Sequence, residues 1–397
     1  MSAAWNFFSA GQILYGRGAV GRLGDWLRTR GLVRALVVSD RRLVESGVVQ
    51  VVTESLQGSQ VNYQVFDGGQ PEPAVEVAVR ATELARSYQP DVVVGLGGGS
   101  NMDVAKITAV LFTHGGEPSD YFGFDRVPGP VMPLVCLPTT AGTGSEVSHA
   151  AVLTDLQNAT KVSTLSQYLR PRLALVDPQL TDSCPPRVTA DAGIDALTHA
   201  IEAFTARPWQ EVSRQGAEPV GYDGSYPLCE ALAERAIRTI GRFLHEAVAD
   251  HRSPEARDAM SEAATLAGLA FSNSGVALVH ALEYPLGAAV HCSHGAGNGL
   301  LLPHVMRFNL PACPEKFVQI AQWLEPDAGH RDPHEGIAAV ERLCRRVGIP
   351  ERLRDLGVRR EQLPEFAYKA AAIRRLRRVN PRDATYQDIL SIYEAAY

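Results

Sequence analysis

Asp195 and His199 stand four residues apart in IDALTHAIEAF, and two further histidines, His280 and His294, lie in VHALEYPLGAAVHCSH. On a helix, residues four apart share a face one turn apart, so a carboxylate and an imidazole are offered to one point. His280 closes GVALVH, an apolar stretch read as helical. A break is expected at Pro285 and Gly287, and a bent connection there would bring His294 back beside His280. Three neutral imidazole nitrogens and one carboxylate oxygen suit Fe(II) or Zn(II), whereas Mg(II) and Ca(II) ask for oxygens. By itself an Asp-xxx-His pair is more often a surface or capping pair, and a histidine beside Val and Leu is commonly a hydrogen-bonded core residue. The other half of the chain has to decide.

That half carries DVVVGLGGGSNMDVAK, which reads as a buried strand, a glycine run and a helix start. Gly97, Gly98 and Gly99 leave no side chain between the backbone and an approaching ligand, and Ser100 with Asp103 has capping-box spacing. Free N–H groups at such a helix end make a pyrophosphate cradle, although a plain tight turn gives the same pattern. A second polar loop, from Pro138 to Ser145, follows another buried strand, and its hydroxyls and N–H groups suit the nicotinamide side of a dinucleotide. Asp40 ends the strand ALVVSD. It reads either as a partner for ribose hydroxyls that would repel a 2′-phosphate, favouring NAD over NADP, or as the N-cap of the next helix.

The elements that position these residues fall into two halves. Up to about residue 185, strands are expected at Ala35–Ser39, Val61–Phe66, Asp91–Gly95, Pro133–Leu137, Ala150–Thr154 and Leu173–Val176, with helical stretches from Arg42 to Leu56, Pro73 to Ser87 and Asn101 to Phe112. Such alternation implies an α/β domain, residues 1–185, with a largely parallel, Rossmann-like sheet covered on both faces. After Pro185-Pro186 the texture turns to Ala, Leu, Glu and Arg, so residues 186–397 are expected to be all helical. A loop-like insert from Arg207 to Pro227 interrupts them, with Gly216, Pro219, Gly221, Gly224 and Pro227 near its end.

The chain has 397 residues, 45% of them hydrophobic and 21% charged, the balance of a globular protein with material for two cores. A formal charge of −6 argues against nucleic acid or an anionic membrane as the partner. Arg374, Arg375, Arg377 and Arg378 read as a solvated helix face. With no apolar run of membrane-spanning length, no secretory leader at the start and six cysteines without framework spacing, a cytoplasmic protein with free thiols is expected. Cys292, two residues before His294, reads as small filler or a neighbour of the metal pocket.

With these motifs in hand the chain resembles the iron-containing (group III) alcohol dehydrogenases. The resemblance runs almost end to end, through ILYGRGAVGRLG, GGGSNMDVAK, PTTAGTGSEV, DALTHAIEAF, FSNSGVALVHALEYPLGAAVHCSHGAGNGLLLPHVMRFN and NPRDATYQDILSIYEAAY. It implies a dehydroquinate synthase-like architecture, one Fe(II) or Zn(II) on Asp195, His199, His280 and His294, and NAD on Asp40, Gly97, Gly98, Gly99, Ser100, Asp103, Thr139, Thr140, Thr143 and Lys161. The core is similar to the lactaldehyde reductase branch, but where that branch has a histidine four residues after the third ligand, this chain has Tyr284. Tyr284 and an insert ending in YDGSYPL resemble the hydroxyacid-oxoacid transhydrogenase branch.

What the resemblance implies is hydride transfer between a small primary alcohol and the nicotinamide, the metal polarising the substrate oxygen. Tyr284, Asp103 and Phe271 are the candidate catalytic residues, with proton traffic through water, a ribose hydroxyl or Tyr284, and Phe271 read either as a substrate-pocket aromatic or as core packing. His149 and His291 are further candidates for the site, His304 is expected to be structural, and Arg207 or Arg214 would line a pocket for an anionic substrate. A homodimer built through the N-terminal strands is implied. The alternatives are a transhydrogenase or 4-hydroxybutyrate-type dehydrogenase and, from another class, a dehydroquinate synthase-like lyase.

Overall fold

The computed structural model describes residues 4–156, 160–212, 221–250 and 253–397. Chain contacts divide it into two compact units, Phe8–Cys184 and Pro185–Tyr397, the latter joined by Met1–Phe7.

The unit Phe8–Cys184 is built on nine strands, β1 (Ile13–Tyr15), β2 (Arg34–Val38), β3 (Asn62–Phe66), β4 (Val92–Gly97), β5 (Gly123–Phe124), β6 (Leu134–Pro138), β7 (Ala150–Asp155), β8 (Thr160–Leu165) and β9 (Leu173–Val176). Six form one sheet in the order β1-β9-β6-β4-β2-β3, parallel throughout. Alternate residues feed two cores: Ala35, Val37, Val92 and Val94 pack on one face, Leu36, Val38 and Val93 on the other. That two-sided burial is why these strands read as unbroken apolar runs. The helices are α1 (Leu23–Arg28), α2 (Arg41–Glu45), α3 (Val48–Gly58), α4 (Val75–Tyr88) and α5 (Gly99–His114). From β2 the chain steps outward to β3, then crosses back to β4 on the other side of β2. The order therefore reverses at the carboxyl ends of β2 and β4, where open α/β sheets bind their ligands.

Three expectations are corrected here. The strand Ala150–Asp155 belongs to a separate three-stranded sheet, antiparallel to β8 and not part of the parallel one. The single helix from Arg42 to Leu56 is two, because Gly47 takes φ 81° between α2 and α3. The capping box of Ser100 and Asp103 does not form: the helix starts earlier, Gly98 is its N-cap, and Asp103 accepts from Ser145 Oγ and Val152 N–H.

The other unit is helical: α6 (Pro186–Thr205), α7 (Pro227–Ala249), α8 (Pro254–Ser274), α9 (Leu278–Val290), α10 (His294–Asn309), α11 (Pro314–Leu324), α12 (His334–Arg346), α13 (Leu363–Ala372), α14 (Arg374–Arg378) and α15 (Tyr386–Ala396). The expected break at Pro285 and Gly287 is absent. Pro285 lies inside α9, and the chain turns later, at His291–Ser293, where His291 takes φ 52°. The first residues return to this unit, Trp5 stacking on Tyr226 at 4.5 Å and the Tyr226 hydroxyl donating to the Asn6 carbonyl at 2.7 Å. Among the described residues no single helix is long and apolar enough to cross a membrane.

In the insert, Arg214, Gly216 and Pro219 lie outside the described residues. Its two ends are tied together, Ser225 N–H donating to the Arg207 carbonyl at 2.8 Å, and Arg207 pairs with the exposed Asp383. Of the arginine cluster of α14, expected to be a solvated face, only Arg374 is exposed. Arg377 donates to the Ala384 carbonyl, Arg378 to the Tyr222 carbonyl at the insert's exit, and the Arg375 guanidinium lies 5.8 Å from the centre of the Tyr284 ring.

Candidate metal centre and nucleotide loops

Asp195, His199 and Glu202 occupy one face of α6 and are all buried. α10 crosses this face closely. A Cβ at Gly295 would stand 2.0 Å from the Asp191 carbonyl oxygen, so only glycine permits the approach that carries His294, the first residue of α10, up to Asp195. His280 arrives by another route. Between α8 and α9 the chain turns through 105°, and Glu202 secures the turn by accepting N–H bonds from Ala277 at 2.9 Å and Val279 at 2.7 Å. The same carboxylate stands 2.6 Å from His280 Nδ1.

Three of the four expected ligands converge. Asp195 Oδ1 lies 4.0 Å from His280 Nε2 and 3.9 Å from His294 Nε2, and one donor atom from each of the three falls within 4.8 Å of the others. A tetrahedral ion with bonds of about 2.1 Å has edges of roughly 3.4 Å, so the two edges from Asp195 fit a first-row ion after a contraction of about half an ångström. His199 borders the group without joining it. Its Nε2 is 3.9 Å from Asp195 Oδ1, and its ring is held by stacking on Phe271 at 4.2 Å and on His280 at 4.8 Å. Phe271 thus packs against a ligand candidate.

Two carboxylates that the sequence reading did not single out lie against the imidazoles. Glu202 faces His280 Nδ1, and Glu283 Oε2 stands 2.5 Å from His294 Nδ1. In both rings the other nitrogen, Nε2, faces Asp195, the arrangement in which a carboxylate at Nδ1 favours metal binding at Nε2. Burial pushes the Asp195 carboxyl up, but the imidazoles of His199, His294 and His280 and the Asn298 amide outweigh it and hold its pKa below the ordinary value. Burial drives His199 down to about 4, so it stays a neutral donor. Tyr284 is half-buried, its ring 6.3 Å from that of His294. Cys292, His291 and His304 are not members of the ligand group.

In the other unit, Gly97 closes β4 with φ 147°, and a Cβ there would lie 2.2 Å from the Asn101 side chain. Beyond it Gly98, Gly99 and Ser100 are partly exposed at the start of α5, whose first N–H groups have no helical acceptor. This is the surface a dinucleotide pyrophosphate needs. Asp40 caps α2 through Leu43 N–H at 3.1 Å and accepts from Asn101 Nδ2 at 2.7 Å, so it ties the carboxyl end of β2 to the glycine turn.

The threonine loop is braced from beneath. Thr139 N–H donates to the Gly97 carbonyl at 3.0 Å, and Thr140 and Thr143 lie against Gly98 and Gly99. Asp103 accepts from Ser145 Oγ at 2.7 Å and Val152 N–H at 2.9 Å. Lys161 pairs with Glu72 at 2.9 Å. Lys106, also missed from sequence, is fully buried, and its Nζ donates to Ser145 Oγ at 2.8 Å, Ser148 Oγ at 3.1 Å and the Ala150 carbonyl at 2.7 Å. Burial lowers its pKa, and the nearby Asp103 opposes that shift. Lys106→Met would leave those acceptors buried and unserved, at about 1–3 kcal/mol each. The expected result is a lower thermal midpoint and weaker dinucleotide binding with metal content unchanged. A nucleotide Kd within about twofold of wild type would show that the loop stands without this amine.

Residues 10–178 match the family described as iron-containing alcohol dehydrogenase, and residues 220–397 match the C-terminal part of the Fe-containing alcohol dehydrogenase family. The chain is 35% identical to the NAD-dependent methanol dehydrogenase of Bacillus methanolicus, over 98% of this chain and 99% of that one. It is 34% identical to the lactaldehyde reductase of Escherichia coli K12, over 96% and 97%. A solved structure of 1,3-propanediol oxidoreductase superposes with a TM-score of 0.92 at 34% identity, covering 99% of this chain and 100% of that one.

Proposed function

This chain belongs to the iron-containing alcohol dehydrogenase family and is an oxidoreductase of that kind, and from that premise we propose that it passes hydride between a small primary alcohol and NAD, with one divalent ion on Asp195, His199, His280 and His294. The observation that carries the ligand set is the convergence of Asp195, His280 and His294 with both imidazoles oriented by buried carboxylates. When bound, the ion supplies Lewis acidity at the substrate oxygen and the nicotinamide takes up or gives the hydride.

The chain's own residues do the rest. Asp195 brings the one formal negative charge among the donors, and Glu202 and Glu283 keep the Nε2 atoms free to bind. Gly97 to Ser100 hold the pyrophosphate on the α5 N-terminus, with Thr139, Thr140 and Thr143 lining the second loop. Asp40 accepts from ribose hydroxyls and disfavours a 2′-phosphate, which selects NAD over NADP. Asp103 and Lys161, engaged with Ser145 and Glu72, position loops instead of meeting the reacting atoms. The proton passes through water, a ribose hydroxyl or the Tyr284 hydroxyl, and Phe271 stacks on the His199 ring. The reading extends to a cytoplasmic location, since six free cysteines suit a reducing compartment, and to the homodimer that the family resemblance implies.

The test is a panel of short alcohols, diols and aldehydes on protein loaded separately with Fe(II) and Zn(II), following reduced nicotinamide by absorbance. Turnover is expected with NAD, and at least about tenfold less with NADP. Turnover that appears only after an oxoacid acceptor is added would move the chain to the transhydrogenase reading, and none on any alcohol or aldehyde would end the proposal.

A further inference from the structure

Asn298 follows His294 by one turn of α10 and is fully buried. Its Nδ2 stands 2.9 Å from Asp195 Oδ1 and 3.2 Å from Nε2 of both His280 and His294. These are the three atoms of the ligand group. An amide NH2 carries two hydrogens for these three acceptors, while Oδ1 of the same side chain is buried and meets no partner among the described residues. That orientation is the wrong way round for a cation. An N–H dipole would aim its positive end at the charge, and the atom with lone pairs to give would face away. The two ends of an amide have nearly the same shape, and its terminal torsion is broad and two-fold, so turning it needs no new space. Either orientation leaves one end without a partner, so a cation decides which.

We propose that Asn298 is a metal donor, its amide turning to place Oδ1 on the ion as a second oxygen beside Asp195. The proposal rests on the ligand set given under Proposed function. Four donors complete the shell that Zn(II) prefers, whereas a further neutral oxygen raises the coordination number and favours Fe(II).

The experiment measures Fe(II), Zn(II) and Co(II) dissociation constants by chelator competition on the full chain, with the visible spectrum of the Co(II) form. Asn298→Leu removes both amide ends at similar size. Its Fe(II) affinity should fall at least about tenfold, more than its Zn(II) affinity, and its Co(II) bands should strengthen as the coordination number drops. Asn298→Asp offers only oxygens, so it should bind metal as tightly as wild type or more tightly. If the amide serves only to donate N–H to Asp195, N298D sets two carboxylates against each other and weakens binding as much as N298L; that outcome overturns the inference alone. Wild type that binds none of the three metals would sink the ligand set and this inference with it. Should N298L fail to fold, N298D still decides.

Discussion

Asp195→Ala is expected to leave the chain folded but without firmly held metal, and to take NAD-linked alcohol oxidation below detection. Asp195 is the one anionic member of the ligand group, and it is 3% exposed. Without it a dication would enter a buried site with no counter-charge among its donors, which costs about 3–5 kcal/mol. At 1.4 kcal/mol per decade that is on the order of a thousandfold in affinity. The fold should survive, because the three imidazoles remain and His199, already held near 4 by burial, loses the carboxylate that favoured its charged form. Metal per chain after dialysis, turnover and the thermal midpoint should be measured on one preparation. Stoichiometric metal in the variant would remove Asp195 from the ligand set.

Gly295→Ala should be the most damaging single methyl in the helical unit. The added Cβ would stand 2.0 Å from the Asp191 carbonyl oxygen and 2.6 Å from its carbon, so backbone meets backbone and no side chain can swing aside. α6 and α10 must then separate, and overpacking of this kind costs about 1–3 kcal/mol or more. The separation draws His294 and Asn298 away from Asp195, so metal affinity should drop at least about tenfold while the thermal midpoint falls by several degrees. Equal melting and equal metal loading in G295A and wild type would show that the helices pass more loosely than their spacing indicates.

Much of this was readable from the chain. Buried parallel strands announce themselves as β-branched runs, and the observed β2, β3, β4, β6 and β9 lie within two residues of their expected ends. The short edge strand Ile13–Tyr15 and the strand Thr160–Leu165 escaped notice, because three residues show no period and TKVSTL is mostly polar. Gly47 was visible, but its left-handed conformation, which splits α2 from α3, is a property of the folded turn. Pro285 misled in the opposite sense: it removes one hydrogen bond, and the surrounding buried residues of α9 hold the helix through it.

At the metal centre, residue type and spacing pointed to Asp195, His199, His280 and His294, but not to the groups that aim them. Glu202 follows His199 by three, Glu283 follows His280 by three, and Asn298 follows His294 by four. Each candidate histidine therefore has a polar neighbour on its own helical face. Glutamates and asparagines on helices are so often solvent-facing that only packing separates these three from the rest. His199 shows the converse, since correct spacing did not foretell that stacking on Phe271 would hold its ring at the margin.

The pairing of Trp5 and Asn6 with Tyr226 imposes an order on assembly. On the ribosome those early residues must wait, unsatisfied, until more than two hundred others have been added before their aromatic partner exists. The intervening segment, Phe8–Cys184, is contiguous and has its own sheet and two cores, so it is free to fold as it emerges. The helical unit joins Trp5 and Asn6 to α6 through α15, so its core can close only once the last of those helices has been made.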